Sequence, residues 1–265
     1  MFITVITDCS CSNAYGRQST RISNLFDTTP TFVGTSGDLD APSNIEASGH
    51  IIDILDAADG GEGIILANVA PRGTKSKWPN GTPFGYFDYA GVRVFSTVDG
   101  QVLSLAKKLG LISTFYLFDI PTVMNYLADQ SIVSGERAQS IIHTQFRSFN
   151  FLPRVAHWLQ NGIKIPSEPY DIEKIAEIDP VIWYYDNFGN YKTTLLKEDL
   201  IIENGKVKTK LGELNFCEKL TDVPNGEPAL TIGSSGLGEQ RFVEIVVQKG
   251  RATEYFKAKI GDMIL

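Results

Sequence analysis

Three stretches of this chain carry polar and aromatic side chains that no helical or strand period accounts for, and these are where chemistry would be done. The first is Asp8-Cys9-Ser10-Cys11-Ser12-Asn13, which follows the short β-branched run Phe2 to Thr7. An acid directly after the first strand of an α/β sheet stands where such sheets bind ligands; the same residue type also caps helices. The second runs from Asn68 to Phe87 and holds Arg72, Lys75, Trp78, Phe84 and Tyr86 among three prolines and three glycines. A loop of that length is functional or disordered, and its aromatics argue for order. The third is split between Asp186-Asn187-Phe188-Gly189-Asn190 and Gly233-Ser234-Ser235-Gly236. Asp186 can accept from an ammonium group, Asn190 can donate and accept, and Phe188 offers an aromatic face. Both segments also read as tight turns, because every residue type in them except Phe favours turns.

The elements that must position these loops follow from the apolar pattern. Phe2–Thr7, Thr31–Thr35, Ile64–Ala67, Val92–Val98 and Ile112–Phe118 read as strands. Helices are expected over Tyr15–Phe26, Ser43–Ala58, residues 102–109, 121–130 and 134–162. Ser43 and Glu46 have the spacing of a capping box, and Ile51, Ile54, Leu55 and Ala58 share one helical face. Gly49 inside that helix costs about 1 kcal/mol against alanine and suggests close backbone packing. His50 lies on the same helix, where a lone histidine is more often surface or core than catalytic. The alternation of strand and helix predicts an α/β N-terminal domain with a mainly parallel sheet flanked by helices. Beyond a Pro-rich linker the chain turns strand-like: 181–185, 191–195, 201–203 turning at Asn204-Gly205 into 206–211, 229–232 and 242–247. That predicts a small all-β, barrel-like C-terminal domain. The boundaries are then 1–164 for the sheet domain, 165–180 for the linker and 181–265 for the β domain.

Composition excludes several function classes. A net charge of −7 with no basic block argues against a nucleic-acid partner. Cys9, Cys11 and Cys217 make no disulfide framework, and with three histidines in the chain they make no zinc pattern either, so no metal is expected. No apolar segment is long enough to span a bilayer and the first residues lack a signal-peptide pattern, so the expected location is cytoplasmic, away from membranes. There is no P-loop, no Gly-x-Gly-x-x-Gly after the first strand and no Gly-x-Ser-x-Gly elbow.

Taken together and in order, the loops resemble the S-adenosyl-L-methionine hydroxide adenosyltransferases, relatives of the chlorinase and fluorinase enzymes. Thr7-Asp8-Cys9 and Asn13-Ala14-Tyr15-Gly16 stand where that family has Thr-Asp-Phe-Gly and a Pro-Tyr-Val-Gly-like segment. Ala67-Asn68-Val69-Ala70-Pro71 resembles its Val-Asp-Pro-Gly motif, and Asp99-Gly100-Gln101-Val102-Leu103 its Asn-Gly-Leu-Leu segment. Asp186-Asn187-Phe188-Gly189-Asn190-Tyr191-Lys192-Thr193-Thr194 is similar to Asp-x-Phe-Gly-Asn-x-x-Thr-Asn, and Gly233-Ser234-Ser235-Gly236 to Asn-Ser-x-Gly. The resemblance implies nucleophilic attack, by water or hydroxide, at C5′ of S-adenosyl-L-methionine, releasing adenosine and L-methionine. It implies no cofactor, with S-adenosyl-L-methionine as the substrate, and a homotrimer whose sites lie between subunits. By carry-over Asp8 binds the ribose hydroxyls, Phe188 and Asn190 the adenine, Asp186 the methionine ammonium and Ser234 its carboxylate. Tyr15, Tyr86 and Ser235 complete the substrate-binding set.

The reacting end departs from the family. Asn68 stands in place of the water-activating Asp and carries no charge. The family Arg falls on Lys75, with Arg72 nearby, and Phe146-Arg147-Ser148-Phe149 lacks the family histidine, with His143 one turn away. Asn68, Arg72 and Lys75 are therefore the catalytic candidates. Three readings follow: a SAM-cleaving enzyme, a non-catalytic SAM or adenosine binder that kept the pocket and lost the triad, and an interaction module that kept only the scaffold.

Overall fold

The computed structural model describes residues 1–36, 43–69 and 82–265. The first half builds one sheet. Its elements are β1 (Phe2–Thr7), α1 (Ser12–Phe26), β2 (Thr31–Gly34), α2 (Ser43–Ala58), β3 (Gly63–Asn68), β4 (Phe84–Tyr89), β5 (Val92–Thr97), α3 (Ser104–Lys108) and β6 (Phe115–Leu117). Helices α4 (Ile120–Asp129), α5 (Gly135–Ile142), α6 (Arg147–Asn150) and α7 (Leu152–Gln160) precede β7 (Glu168–Tyr170). The strand order is β2-β1-β3-β5-β4-β6-β7. Strands β2, β1, β3 and β5 are parallel. β4 runs antiparallel to both β5 and β6, and β7 antiparallel to β6.

The central parallel strands β1 and β3 are buried on both faces, which is why their sequences read as near-continuous apolar and β-branched runs, whereas β2 at the sheet edge is partly exposed. Ile6, Ile65 and Val94 join the core under α2 and α3. Val5, Ile64, Leu66 and Phe95 face the opposite core under α4, α5 and α7. The helices therefore cover both faces, as the α/β pattern predicts.

Several sequence expectations need correction. Residues 84–87, assigned to the long loop, open strand β4. Phe84 pairs with Thr97 and Tyr86 with Phe95, in a hairpin turned by Ala90 and Gly91 at φ of 46° and 87°. Prolines and glycines upstream hid this strand, whose alternation is blurred by aromatics on both faces. The helix expected over 134–162 is three helices. Thr144 takes the backbone N–H of Phe146 and the Asn150 amide, and Pro153 falls in the first turn of α7, where its missing N–H costs nothing. Gly233 to Gly236, which reads first as a flexible turn, lies inside a ten-residue strand with a bulge. Glu46 does not close a capping box. Its carboxylate turns back to accept from the Ser36 N–H at 3.1 Å.

The second half is all-β apart from short helical turns and a final helix. It contains β8 (Ile182–Tyr185), β9 (Tyr191–Leu196), β10 (Lys206–Thr209), β11 (Gly212–Cys217), β12 (Pro228–Leu237), β13 (Gln240–Val247) and α8 (Ala252–Phe256). The order is β10-β11-β12-β13-β9-β8. Asn204 and Gly205 have φ of 51° and 76°, the two positive values of a primed hairpin turn. The expected strand before them shrinks to one bridge, Glu203 to Lys206. All six strands feed one core containing Ile182, Leu195, Val207, Leu214, Leu230 and Val243. The tail completes the curl. Gly261 and Asp262 bond the backbone of Ile182, while Lys210 N–H donates to Ile264 O at 2.8 Å. The tail thus spans the gap between the β8 and β10 edges.

Helix α2 joins the two halves. Ala47, Ile51, Ile52 and Leu55 belong to the sheet core, whereas Ile45 packs with Val181 and Trp183. Gly49 lies directly against the Trp183 indole, so any Cβ there would collide with the ring. The close packing that this glycine suggests is therefore with the β domain.

Candidate functional site

The order β2-β1-β3 places the reversal of strand order at β1, so the crevice beyond its carboxyl end is where a ligand is expected in an open α/β sheet. Thr7 is the hub of this edge. It is fully buried, it stands in register with Asn68, and its Oγ1 receives the Asn68 Nδ2 at 3.5 Å and the Cys9 N–H at 3.1 Å. Its carbonyl accepts from Thr35 N–H at 3.0 Å. With Nδ2 turned to Thr7, the Asn68 Oδ1 is the atom left to accept from a ligand or water.

The edge continues on either side. On the β2 side, Tyr15 of α1 stacks on Phe32 at 4.6 Å, and its hydroxyl lies over Gly34, which leaves no room for a side chain there. On the β5 side, Thr97 Oγ1 donates to the Val69 carbonyl. Thr82 Oγ1 donates to Asp99 Oδ2 at 2.9 Å, and Arg147 donates to Thr82 O at 3.1 Å. Asp8, Tyr15 and Asn68 are thus gathered at one edge of the sheet. Arg72 and Lys75 lie outside the described residues.

Glu46 belongs to this edge and sequence reasoning missed its character. It is 4% exposed, and burial raises its pKa from 4.5 to about 7 against the opposing hydrogen bond from Ser36. A carboxyl that titrates near neutrality beside a ligand crevice is suited to proton transfer. Its capping-box spacing was the only sequence signal, and it pointed elsewhere.

The remaining candidates form separate groups. Asp186 Oδ1 accepts from the backbone N–H of Phe188 at 2.9 Å and of Asn190 at 3.0 Å, and Oδ2 accepts from Asn190 Nδ2 at 3.1 Å. This loop rests on α8 through Arg251 to Asn187 O and Thr253 N–H to Gly189 O. Phe188 is 67% exposed at its tip. Tyr86 stands within β4, stacked between Tyr116 and Phe118, with the Arg93 guanidinium 5.3 Å from its ring.

Ser234 and Ser235 meet α2 at the junction of the two halves. Lys192 Nζ donates to Ser235 Oγ at 2.6 Å, Ser234 Oγ at 3.3 Å and Glu244 Oε1 at 3.0 Å. Ser235 Oγ donates in turn to Asp53 Oδ2 at 2.9 Å, and Gly236 N–H to Asp53 Oδ1 at 3.2 Å. Burial raises the Asp53 pKa, opposed by the Ser235 bond and the Lys192 charge. Lys192, Glu244 and Asp53 make this a paired, hydrogen-bonded network, buried at Ser235 and Glu244 and part-exposed at Lys192 and Asp53. Among the described residues no hydrogen bond joins the Thr7–Asn68 edge, the Asp186 loop and the Ser234–Ser235 bulge to one another.

No three His, Cys, Asp or Glu side chains among the described residues are grouped so as to hold a metal. No helix among them is long and apolar enough to cross a membrane.

Comparison with known proteins bears on the second half first. Residues 181–265 match the family model of the SAM hydroxide adenosyltransferase C-terminal domain. No curated protein matches the chain. Two solved structures share the fold over its whole length. An uncharacterized conserved protein from Thermotoga maritima has 15% identity and a TM-score of 0.66, with all of both chains covered. A conserved hypothetical protein from Thermus thermophilus has 16% identity and a TM-score of 0.55, covering 100% of this chain and 99% of its own. The resemblance read from the ordered loops therefore holds for the C-terminal domain, and the two-domain architecture recurs in full-length neighbours.

Proposed function

We propose that this protein binds S-adenosyl-L-methionine and directs water onto C5′ of its ribose, giving adenosine and L-methionine. One observation carries the reading: the domain that matches the adenosyltransferase model is joined to a sheet whose switch point gathers Thr7, Asp8 and Asn68. In the step, the C5′–O bond forms as the C5′–S bond breaks. The bonding pair returns to sulfur, which becomes a neutral thioether, and one proton passes from the attacking water to bulk solvent. Such in-line attack beside a sulfonium needs positioning and water exclusion more than covalent help from the protein. Asp8 takes the ribose hydroxyls, Asn68 Oδ1 orients the water, and Arg72 and Lys75 complete the reacting end. Phe188 and Asn190 hold the adenine, Asp186 the ammonium and Ser234 the carboxylate.

The grouping of these residues supports a site shared between copies of the chain, in keeping with a homotrimer. Among the described residues, the Asp186 loop hydrogen-bonds only within its own domain and leaves Phe188 exposed, and a neighbouring sheet edge would give them a ligand to close on. Purified protein incubated with S-adenosyl-L-methionine should release adenosine and methionine in equal amounts, followed by chromatography. Release no faster than in buffer would reject turnover. A second reading, a binder without turnover, is favoured by the uncharged Asn68, which cannot accept a proton as a base. Calorimetry separates the two, since saturable heat without product selects the binder.

A further inference from the structure

The outer flank of α1 holds a groove that the adenosyl reading leaves unused. Its volume is about 500 Å³, and it is lined by Asn13, Arg17, Thr20, Arg21 and Asn24 from successive turns, closed by Phe149 of α6. The Arg17 and Arg21 guanidiniums lie 4.8 and 4.1 Å from the Phe149 ring centre. Arg21 also donates to Phe149 O at 3.2 Å, and Arg154 donates to Asn150 O at 2.8 Å. These contacts fix the guanidiniums before any ligand arrives, which reduces the ordering cost of binding.

The charge balance is unusual. Arg17 and Arg137 each help to lower the pKa of Arg21, after burial. Burial first, then Arg21 and Arg137, pulls Arg154 down to about 10. Among the described residues none of these four arginines forms an ion pair. Carboxylates are not scarce in a chain with 31 acidic residues and a net charge of −7. Like charges held together without partners raise the local free energy, and an anion in the groove would remove that cost.

We propose that this groove binds a small phosphate-bearing polyanion of the di- or triphosphate class. Planar guanidinium forks match phosphate oxygens two at a time, and Asn13, Thr20 and Asn24 add neutral donors along the groove. A compact ligand with about three to four negative charges neutralises the cluster. A long nucleic acid would meet the repulsion of the acidic remainder of the surface.

The test is calorimetry of the full chain with tripolyphosphate, at ionic strength matched to a sodium sulfate control. One ion per chain should bind, and sulfate should not reproduce the heat. Arg17→Gln and Arg17→Glu, at an exposed position that lines the groove, should weaken binding progressively, the second about tenfold or more, with unchanged melting temperature and unchanged mass in solution. Absence of binding, equal affinity in the variants, or equal heats with sulfate would overturn the assignment. So would binding of a single-stranded oligonucleotide in place of tripolyphosphate, or variants that alter the assembly mass without affecting anion binding.

Discussion

Replacing Glu46 by Gln isolates a pH dependence that the intact protein conceals. The buried carboxyl has its pKa raised from 4.5 to about 7. A carboxyl raised on folding favours the folded state fully while it is protonated in both states, below pH 4.5. That contribution is lost as pH rises, because the unfolded chain ionises first, and the loss is complete once the folded group ionises near pH 7. Each pH unit between those limits is worth about 1.4 kcal/mol, so the whole span amounts to about 3 kcal/mol. Glu46→Gln keeps an oxygen for the Ser36 N–H and removes the ionisation. The variant should match the wild type near pH 4 and exceed it by about 3 kcal/mol at pH 8. Urea denaturation across pH 4 to 9, on both proteins, reads this directly. Parallel curves over that range would refute the burial argument for Glu46.

Four further outcomes are expected. His50, one turn further along α2 and edge-on to Trp183 and Tyr184, has its pKa lowered to about 4 by burial and then by the Lys192 charge. Its contribution is present above pH 6.5 and lost as pH falls towards 4, opposite in slope to that of Glu46, so His50→Phe should flatten the acid limb of the same urea titration. Lys192→Met leaves Glu244 buried without its partner and should cost about 3 kcal/mol or more in urea, most of it restored in Lys192→Met/Glu244→Leu. Gly49→Ala should lower the melting temperature although alanine is the better helix former by about 1 kcal/mol, because the added methyl meets the buried Trp183 ring. If S-adenosyl-L-methionine turns over, Asn68→Ala should lower kcat more than it changes KM, and Asp186→Ala, which unties its loop, should chiefly raise KM; the reverse pattern in steady-state assays would show the roles exchanged.

Local chemistry made much of this legible. The strands β1 and β3 are buried on both faces, so their apolar runs announced a parallel sheet, and Asp8 and Asn68 fell at its carboxyl edge. Asn204-Gly205 announced its turn because few residues other than glycine, asparagine and aspartate accept two positive φ values in succession. What stayed hidden depended on partners distant in sequence. β4 is a strand because Val92–Thr97 and Phe115–Leu117 flank it. The Ser234–Ser235 bulge is ordered because Lys192 and Asp53 bond it. Glu46 departs from ordinary glutamate behaviour because two layers close over α2. None of these causes is present in the residues themselves.

The closing of the β domain by its tail has a consequence for synthesis on the ribosome. Residues 261 to 264 bridge the edges carried by Ile182 and Lys210, so that domain cannot shut until position 264 has emerged. All seven strands of the first sheet have been made long before then, once β7 can pair with β6 at Phe115 and Tyr170, although the core beneath α2 still lacks Phe242. In the interval, α2 displays Ile45, Gly49 and Asp53 to solvent without Trp183 or Ser235 to cover them. The nascent chain therefore carries an open docking face for nearly a hundred residues of elongation, from Tyr170 to Ile264.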